Sequence, residues 1–175
     1  SDTKRNRYFD PGKRLKDGES TTFRLCGLHD TGHVIAGWSY FTMDGQPRKF
    51  PKYPDNFAEE IGLTWAGKTN GTGEKDKPRY FLSFVGLSKE DDDYLIFNFQ
   101  RKDLREQLEE VLNLEDYQIL PSGVANFYLT LKRKGTEMNT AYTLTPTLKV
   151  PTKADEKRWS EVADSIWLPA LYVNG

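Results

Sequence analysis

The sequence predicts a mainly β chain of the α+β class: a small antiparallel barrel with helical insertions and a C-terminal helix. Strand-like runs dominate, either alternating apolar and polar residues or continuously apolar, and turn residues separate them. The helix-period segments sit between strand pairs instead of alternating with single strands, which disfavours a doubly wound parallel sheet. The dipeptide Asp44-Gly45 joins two of the runs, and a two-residue turn there needs φ > 0, a strong hairpin signal.

Residues 1–19 are polar and basic, with turn signals at Pro11-Gly12 and Asp17-Gly18, and are predicted to be a flexible N-terminal arm. Residues 20–175 then form a single domain. Its strands are predicted at 21–29, 33–43, 46–52, 79–86, 94–99, 124–134 and 141–150, with Gly123 and Gly135 as punctuation. A short helix is predicted over 54–61 with Asp55 as its cap. A second covers 101–112, where Leu104, Leu108, Val111 and Leu112 fall at i, i+4, i+7 and i+8 under a charged face. A third covers 153–166: Thr152 and Asp155 have the spacing of a capping box, and Trp159, Val162, Ala163, Ile166 and Trp167 line one side. Residues 67–78 contain almost no apolar side chain and are expected to be an exposed loop.

Composition narrows the class. The chain of 175 residues is 37% hydrophobic and 29% charged, enough for one domain with a proper core. Ten Phe, nine Tyr and four Trp supply bulky core material despite a mean hydropathy of -0.72. No apolar run has the length of a membrane span, and no signal-peptide core follows the charged start. The single cysteine, Cys26, excludes an intrachain disulfide and fits a reducing, cytoplasmic compartment. The net charge of -1 excludes a uniformly basic protein, but the charges are segregated. Basic residues cluster at Arg48/Lys49/Lys52, Arg101/Lys102/Arg105 and Lys132/Arg133/Lys134, while acid concentrates at Glu90–Asp93 and along 106–116.

Three segments, 33–53, 77–85 and 125–134, interleave aromatic rings with Lys and Arg inside strand-like runs. An unpaired nucleic-acid strand needs both partners, flat π-faces for its bases and cations for its phosphates. In the last segment, period 2 puts Phe127, Leu129 and Leu131 on a core face, and Asn126, Tyr128, Thr130 and Lys132 on a polar face with one exposed ring. Gly37 is expected to let something approach the backbone closely. The candidate contacts are Trp38, Tyr40, Arg48, Lys49, Lys52, Tyr53, Trp65, Lys68, Arg79, Tyr80, Tyr128, Lys132, Arg133 and Lys134. No cofactor and no metal site are expected.

Other chemistry is disfavoured. Residues 62–69 match the phosphate-loop pattern GxxxxGK[ST], but a helix-like segment precedes them and Asn70-Gly-Thr-Gly73 is a poor helix start, so the mechanism lacks its strand and its helix. The two histidines, His29 and His33, read as turn residues, and with one cysteine they cannot complete a four-ligand zinc site. Asp91–Asp93 reads as a solvated hairpin turn. Nothing in the sequence points to catalysis.

The succession of elements resembles the single-stranded DNA-binding, helix-destabilising proteins of T-even type bacteriophages. The residues that carry the likeness are Gly18-Glu-Ser-Thr-Thr-Phe-Arg-Leu25, the hairpin 34–50, the strand 79–84, residues 95–99 running into the helix, and Gly123-Val-Ala-Asn-Phe-Tyr-Leu-Thr-Leu-Lys132. That resemblance implies an oligonucleotide-binding (OB-fold) core and sequence-tolerant binding of single strands in a basic cleft, in DNA replication or recombination beside replication proteins. The chain departs from the family in two places. It lacks the Cys/His zinc cluster, with 54–78 in its stead, and it ends in Trp167-Leu-Pro-Ala-Leu-Tyr-Val-Asn-Gly175 where an acidic tail is usual. RNA is the alternative strand, since no residue pattern reads a 2′-OH. The alternative function is a phage accessory module that holds a protein on the same barrel.

Overall fold

The computed structural model describes residues 7–41, 47–53 and 78–172. Its strands are β1 (Tyr8–Phe9), β2 (Ser20–Cys26), β3 (Val34–Phe41), β4 (Pro47–Phe50), β5 (Arg79–Ser88), β6 (Asp93–Phe99), β7 (Phe127–Lys134) and β8 (Ala141–Leu148). The helices are α1 (Pro11–Arg14), α2 (Lys102–Leu112) and α3 (Lys153–Val162), with short 3₁₀ turns at Glu137–Asn139, Ala163–Ser165 and Leu168–Leu171. The expected helix at 54–61, the loop at 67–78 up to Lys77, and the Asp44-Gly45 turn lie outside the described residues.

The architecture is one mainly antiparallel sheet in the order β1-β6-β5-β2-β7-β8, with β3 beside β5 and β4 beside β3. One edge of β5 is shared: residues 79–84 pair with β3, and Val85–Ser88 pair with the last residues of β2. The whole length from Leu82 to Ser88 pairs with β6 on the other edge. This makes β5 central, as its two apolar faces anticipate.

The ladder does not close into the expected barrel. Its end strands, β1 and β8, do not pair with each other. Instead α2 packs against both β6 and β8. The Gln107 side-chain amide donates to Tyr142 O and accepts from Leu144 N, each at 2.9 Å, so it stands in for a neighbouring strand at the β8 edge. Pro146, which has no N–H to offer, is tolerated on the same edge strand.

Period 2 divides the side chains into two cores. On the inner face, Phe23, Leu25, Phe84, Phe97, Phe99, Phe127, Leu129 and Leu131 are fully buried under α2, whose Leu104, Leu108 and Val111 complete the core. Each such burial contributes about 1.5–3 kcal/mol. The rings interlock: Phe23 stacks on Phe97 at 4.1 Å, and Phe84 meets Phe99 edge-on at 5.0 Å. On the outer face, Cys26, Ile35, Phe81, Val85 and Tyr94 are covered by Trp159 of α3 and by Leu168. The helix α3 begins with the capping box anticipated at Thr152: its hydroxyl accepts from Asp155 N at 3.1 Å, and the Asp155 carboxylate accepts from Thr152 N at 2.8 Å.

Within the stretch expected to be a free arm, β1 and α1 are packed structure. Phe9 and Leu15 are buried in the inner core, and β1 runs parallel to β6 with Phe9 opposite Phe97. Two isolated apolar residues among charges carry no periodicity, so this piece was not visible as an element.

Candidate nucleic-acid interface

Strand pairing assembles the site. Trp38 of β3 lies directly opposite Tyr80 of β5 and opposite Phe50 of β4. Inner-face alternation continues past the core here, because Val34, Ala36 and Trp38 share their side with Tyr80, Leu82 and Phe84. Trp38 then meets Tyr80 edge-to-face at 5.3 Å and Tyr53, just beyond β4, at 5.0 Å. Tyr53 is 42% exposed, and Trp38 and Tyr80 are half-buried. Three rings from three chain segments thus form one exposed-to-half-buried cluster at the end of the sheet.

The cation at this cluster is Arg105, a residue absent from the sequence-based candidates. Its guanidinium lies 4.4 Å from the Tyr80 ring centroid, within cation–π range. Its Nε is buried and has no hydrogen-bond partner, an uncommon state for so strong a donor. The signal for it was available. Arg101 and Arg105 are one turn apart and flank the Leu104/Leu108 stripe, so a helix that packs on the inner face carries both to the rim. Arg79 opens β5 and is exposed, Arg48 is half-buried opposite Tyr40, and Lys52 is exposed beside Tyr53.

The other candidates divide. Tyr40 is 7% exposed and stacks parallel on Phe50 at 5.5 Å, so it is packing rather than platform. Lys49 points to the opposite side, its Nζ 5.1 Å from the Phe81 ring centroid; burial pushes its ammonium below the usual lysine range, against the pull of Asp10. Gly37 admits the expected close approach, made by the chain itself: a Cβ there would collide with the Phe50 carbonyl, so the position holds β4 against β3. Trp65 and Lys68, with the whole of 62–69, lie outside the described residues.

The β7 candidates do not join the cluster. Tyr128 lies on the outer face, since Phe127, Leu129 and Leu131 occupy the inner one. Its ring is held by the protein's own cations, with the Arg24 guanidinium 4.3 Å and Lys89 Nζ 5.7 Å from the centroid. Arg24 is 2% exposed and donates to Ala125 O at 2.8 Å and Lys149 O at 2.5 Å. Tyr128 is therefore the lid of a buried arginine. Lys132 and Lys134 are exposed on the same outer side, whereas Arg133 turns inward and donates to Leu15 O at 2.6 Å and Gly12 O at 3.2 Å.

No protein-family model, no curated protein and no solved structure matches the chain. Among the described residues, no helix is long and apolar enough to cross a membrane.

Proposed function

We propose that this protein binds single-stranded DNA without sequence preference and without catalysis, in the cytoplasm, in phage-type replication or recombination. The observation that carries the reading is the convergence of Trp38, Tyr53 and Tyr80 at 5.0 and 5.3 Å, with a guanidinium 4.4 Å from the third ring. Bases stack on the open rings of Tyr53 and Trp38, and Arg105, Arg79, Arg48 and Lys52 face the phosphates. The open sheet is, in this reading, a relative of the oligonucleotide-binding barrel, itself a partly open Greek key. The resemblance to the T-even type proteins supports the same assignment.

Magnitudes decide which force dominates. Stacking contributes about 1–3 kcal/mol per base. Two stacked bases fall short of the ~8 kcal/mol of a micromolar complex. Phosphate contacts must supply the remainder, so affinity falls steeply with salt, with a log–log slope of about -0.7 per contact. The test is tryptophan fluorescence during titration with oligo-dT at several salt concentrations, in the wild type and in Trp38→Phe. Quenching that weakens with salt and shrinks in the variant is the expected result. A flat response at every salt concentration refutes the reading, as does equal affinity for duplex.

A further inference from the structure

We propose that a cleft of about 320 Å³ beside the ring cluster is the seat of one phosphate group of the bound strand, a deepening that rests on the single-strand reading above. The cleft opens where the start of β5, the end of β6, the first turn of α2 and the β7–β8 connection meet. Arg79, Arg101 and Arg133 line it, together with Asn98, Gln100 and Tyr142. Its volume is at the lower end of ligand pockets, room for a nucleotide unit rather than a length of strand.

The three arginines differ in what their charge is doing. Arg133 is locked in place: its nitrogens donate to Gly12 O, Leu15 O, Gly135 O and Thr140 Oγ1. Every one of those acceptors is uncharged, so the positive charge is fixed in position and not neutralised. Arg101 is partly spent, because Nε and Nη2 hold the Asp103 carboxylate at 3.0 and 3.1 Å and Nη2 also reaches Thr140 O. Its Nη1 donors remain. Arg79 is exposed, and among the described residues its side chain makes no hydrogen bond and no ion pair. Asn98 accepts from Ser83 Oγ at 3.1 Å, which leaves its amide N–H groups unbonded.

A set of forked N–H donors around a fixed positive charge suits a phosphate, whose oxygens accept several such bonds. Two carboxylates line the same cleft and oppose an anion, Asp10 and Glu137. Asp10 is bonded to Gly12 N and favours the charged form of Lys49, whereas Glu137 is exposed, with φ 49°, and its carboxylate makes no hydrogen bond or ion pair among the described residues. Continuity with the rings comes from α2. Arg101 stands over Tyr142 at 5.2 Å and Arg105, one turn on, over Tyr80 at 4.4 Å. One turn of α2 thus links the ring cluster to this basic recess.

The phosphate is either a strand end or an internal phosphodiester, and one experiment separates them. Binding of inorganic phosphate is followed by ³¹P NMR, and binding of dT oligomers with 5′-phosphate, 3′-phosphate or no terminal phosphate by fluorescence. Both are run on the wild type, Arg79→Ala, Glu137→Gln and the distant control Lys157→Ala, with urea melts to show that each folds. The cleft predicts about tenfold weaker binding of phosphate and oligomer in Arg79→Ala. It also predicts tighter binding in Glu137→Gln and no change in Lys157→Ala. A preference for one phosphorylated end identifies a terminal seat; equal affinity for all three oligomers, with a salt slope smaller by about 0.7 in Arg79→Ala, identifies an internal one. Arg79→Ala and wild type binding both ligands alike overturns the cleft while leaving single-strand binding intact. Phosphate bound through Arg79 with no oligomer bound at all overturns the functional reading instead and keeps the anion site.

Discussion

The rim around Trp38 and the outer face of β7 read alike in sequence, each a strand with an aromatic ring next to lysines and arginines, yet the structure uses them in opposite ways. At the rim, rings from β3, β5 and the residues after β4 meet one another and remain open on one side, and the Arg105 Nε lacks an acceptor. On β7, the single ring of Tyr128 is occupied by Arg24 and Lys89, and Arg24 spends its donors on backbone carbonyls. An aromatic beside a cation is therefore a binding signal only where the protein leaves the pair unfinished. Where the fold completes the pair, the same residues are scaffold.

Mutations on the two sides sharpen that contrast. The largest mutational effect is expected on the scaffold side: Arg24→Ala strands the carbonyls of Ala125 and Lys149 and lowers stability by about 3 kcal/mol, seen as a shifted urea midpoint. The folded fraction of that variant should bind oligo-dT as the wild type does. Next, Tyr53→Ala at the rim should cost about 1–3 kcal/mol of oligo-dT affinity with an unchanged urea midpoint, because Tyr53 is 42% exposed. A loss of stability without loss of affinity would reverse the roles assigned to the two regions.

A pH measurement probes the outer core beneath the scaffold side. Burial pushes the Cys26 thiol up to about 12 from an ordinary 9.0. The folded state keeps the proton that the unfolded chain gives up, so the stabilisation is complete below about pH 9 and is lost as pH rises toward 12. The unfolding free energy should fall by about 1.4 kcal/mol per pH unit in that window, in excess of Cys26→Ala. Tyr94, also pushed up by burial, adds a loss of the same sign in both proteins. Smaller again, Arg105→Gln should reduce the salt slope of oligo-dT binding by about 0.7, one phosphate contact. The least effect belongs to Lys132→Glu with Lys134→Glu. These outer-face charges should change affinity less than twofold at 0.15 M salt, where screening acts over about 8 Å.

Much of the fold was legible because period 2 and period 3.6 are strong. Strands β2 to β8, the Leu104/Leu108/Val111 stripe and the Thr152 cap all appear close to their expected bounds. Two features were not legible. The short β1 and α1 have no repeat to detect, and the open ladder, with the Gln107 amide of α2 on the β8 edge, joins residues more than 30 positions apart. In the candidate site, Trp38, Tyr53, Tyr80 and Arg79 were among the residues that the interleaving of aromatic and basic side chains and the family resemblance put forward. Arg105 was missed because its ring partner lies 25 positions earlier in the chain, on another element.

By itself the sequence determined which side chains share a face, since alternation along the backbone assigns each one to one side or the other, and it marked the apolar side where only one is apolar, as in 125–134 and the helix 101–112. Only the tertiary structure decided what covers each face. The docking of α2 and the cross-strand register brought three rings and a guanidinium together at one rim, and set the buried Arg24 against Tyr128 on the outer face. Periodicity is a property of one segment, whereas the cover over a face depends on contacts between segments far apart in the chain.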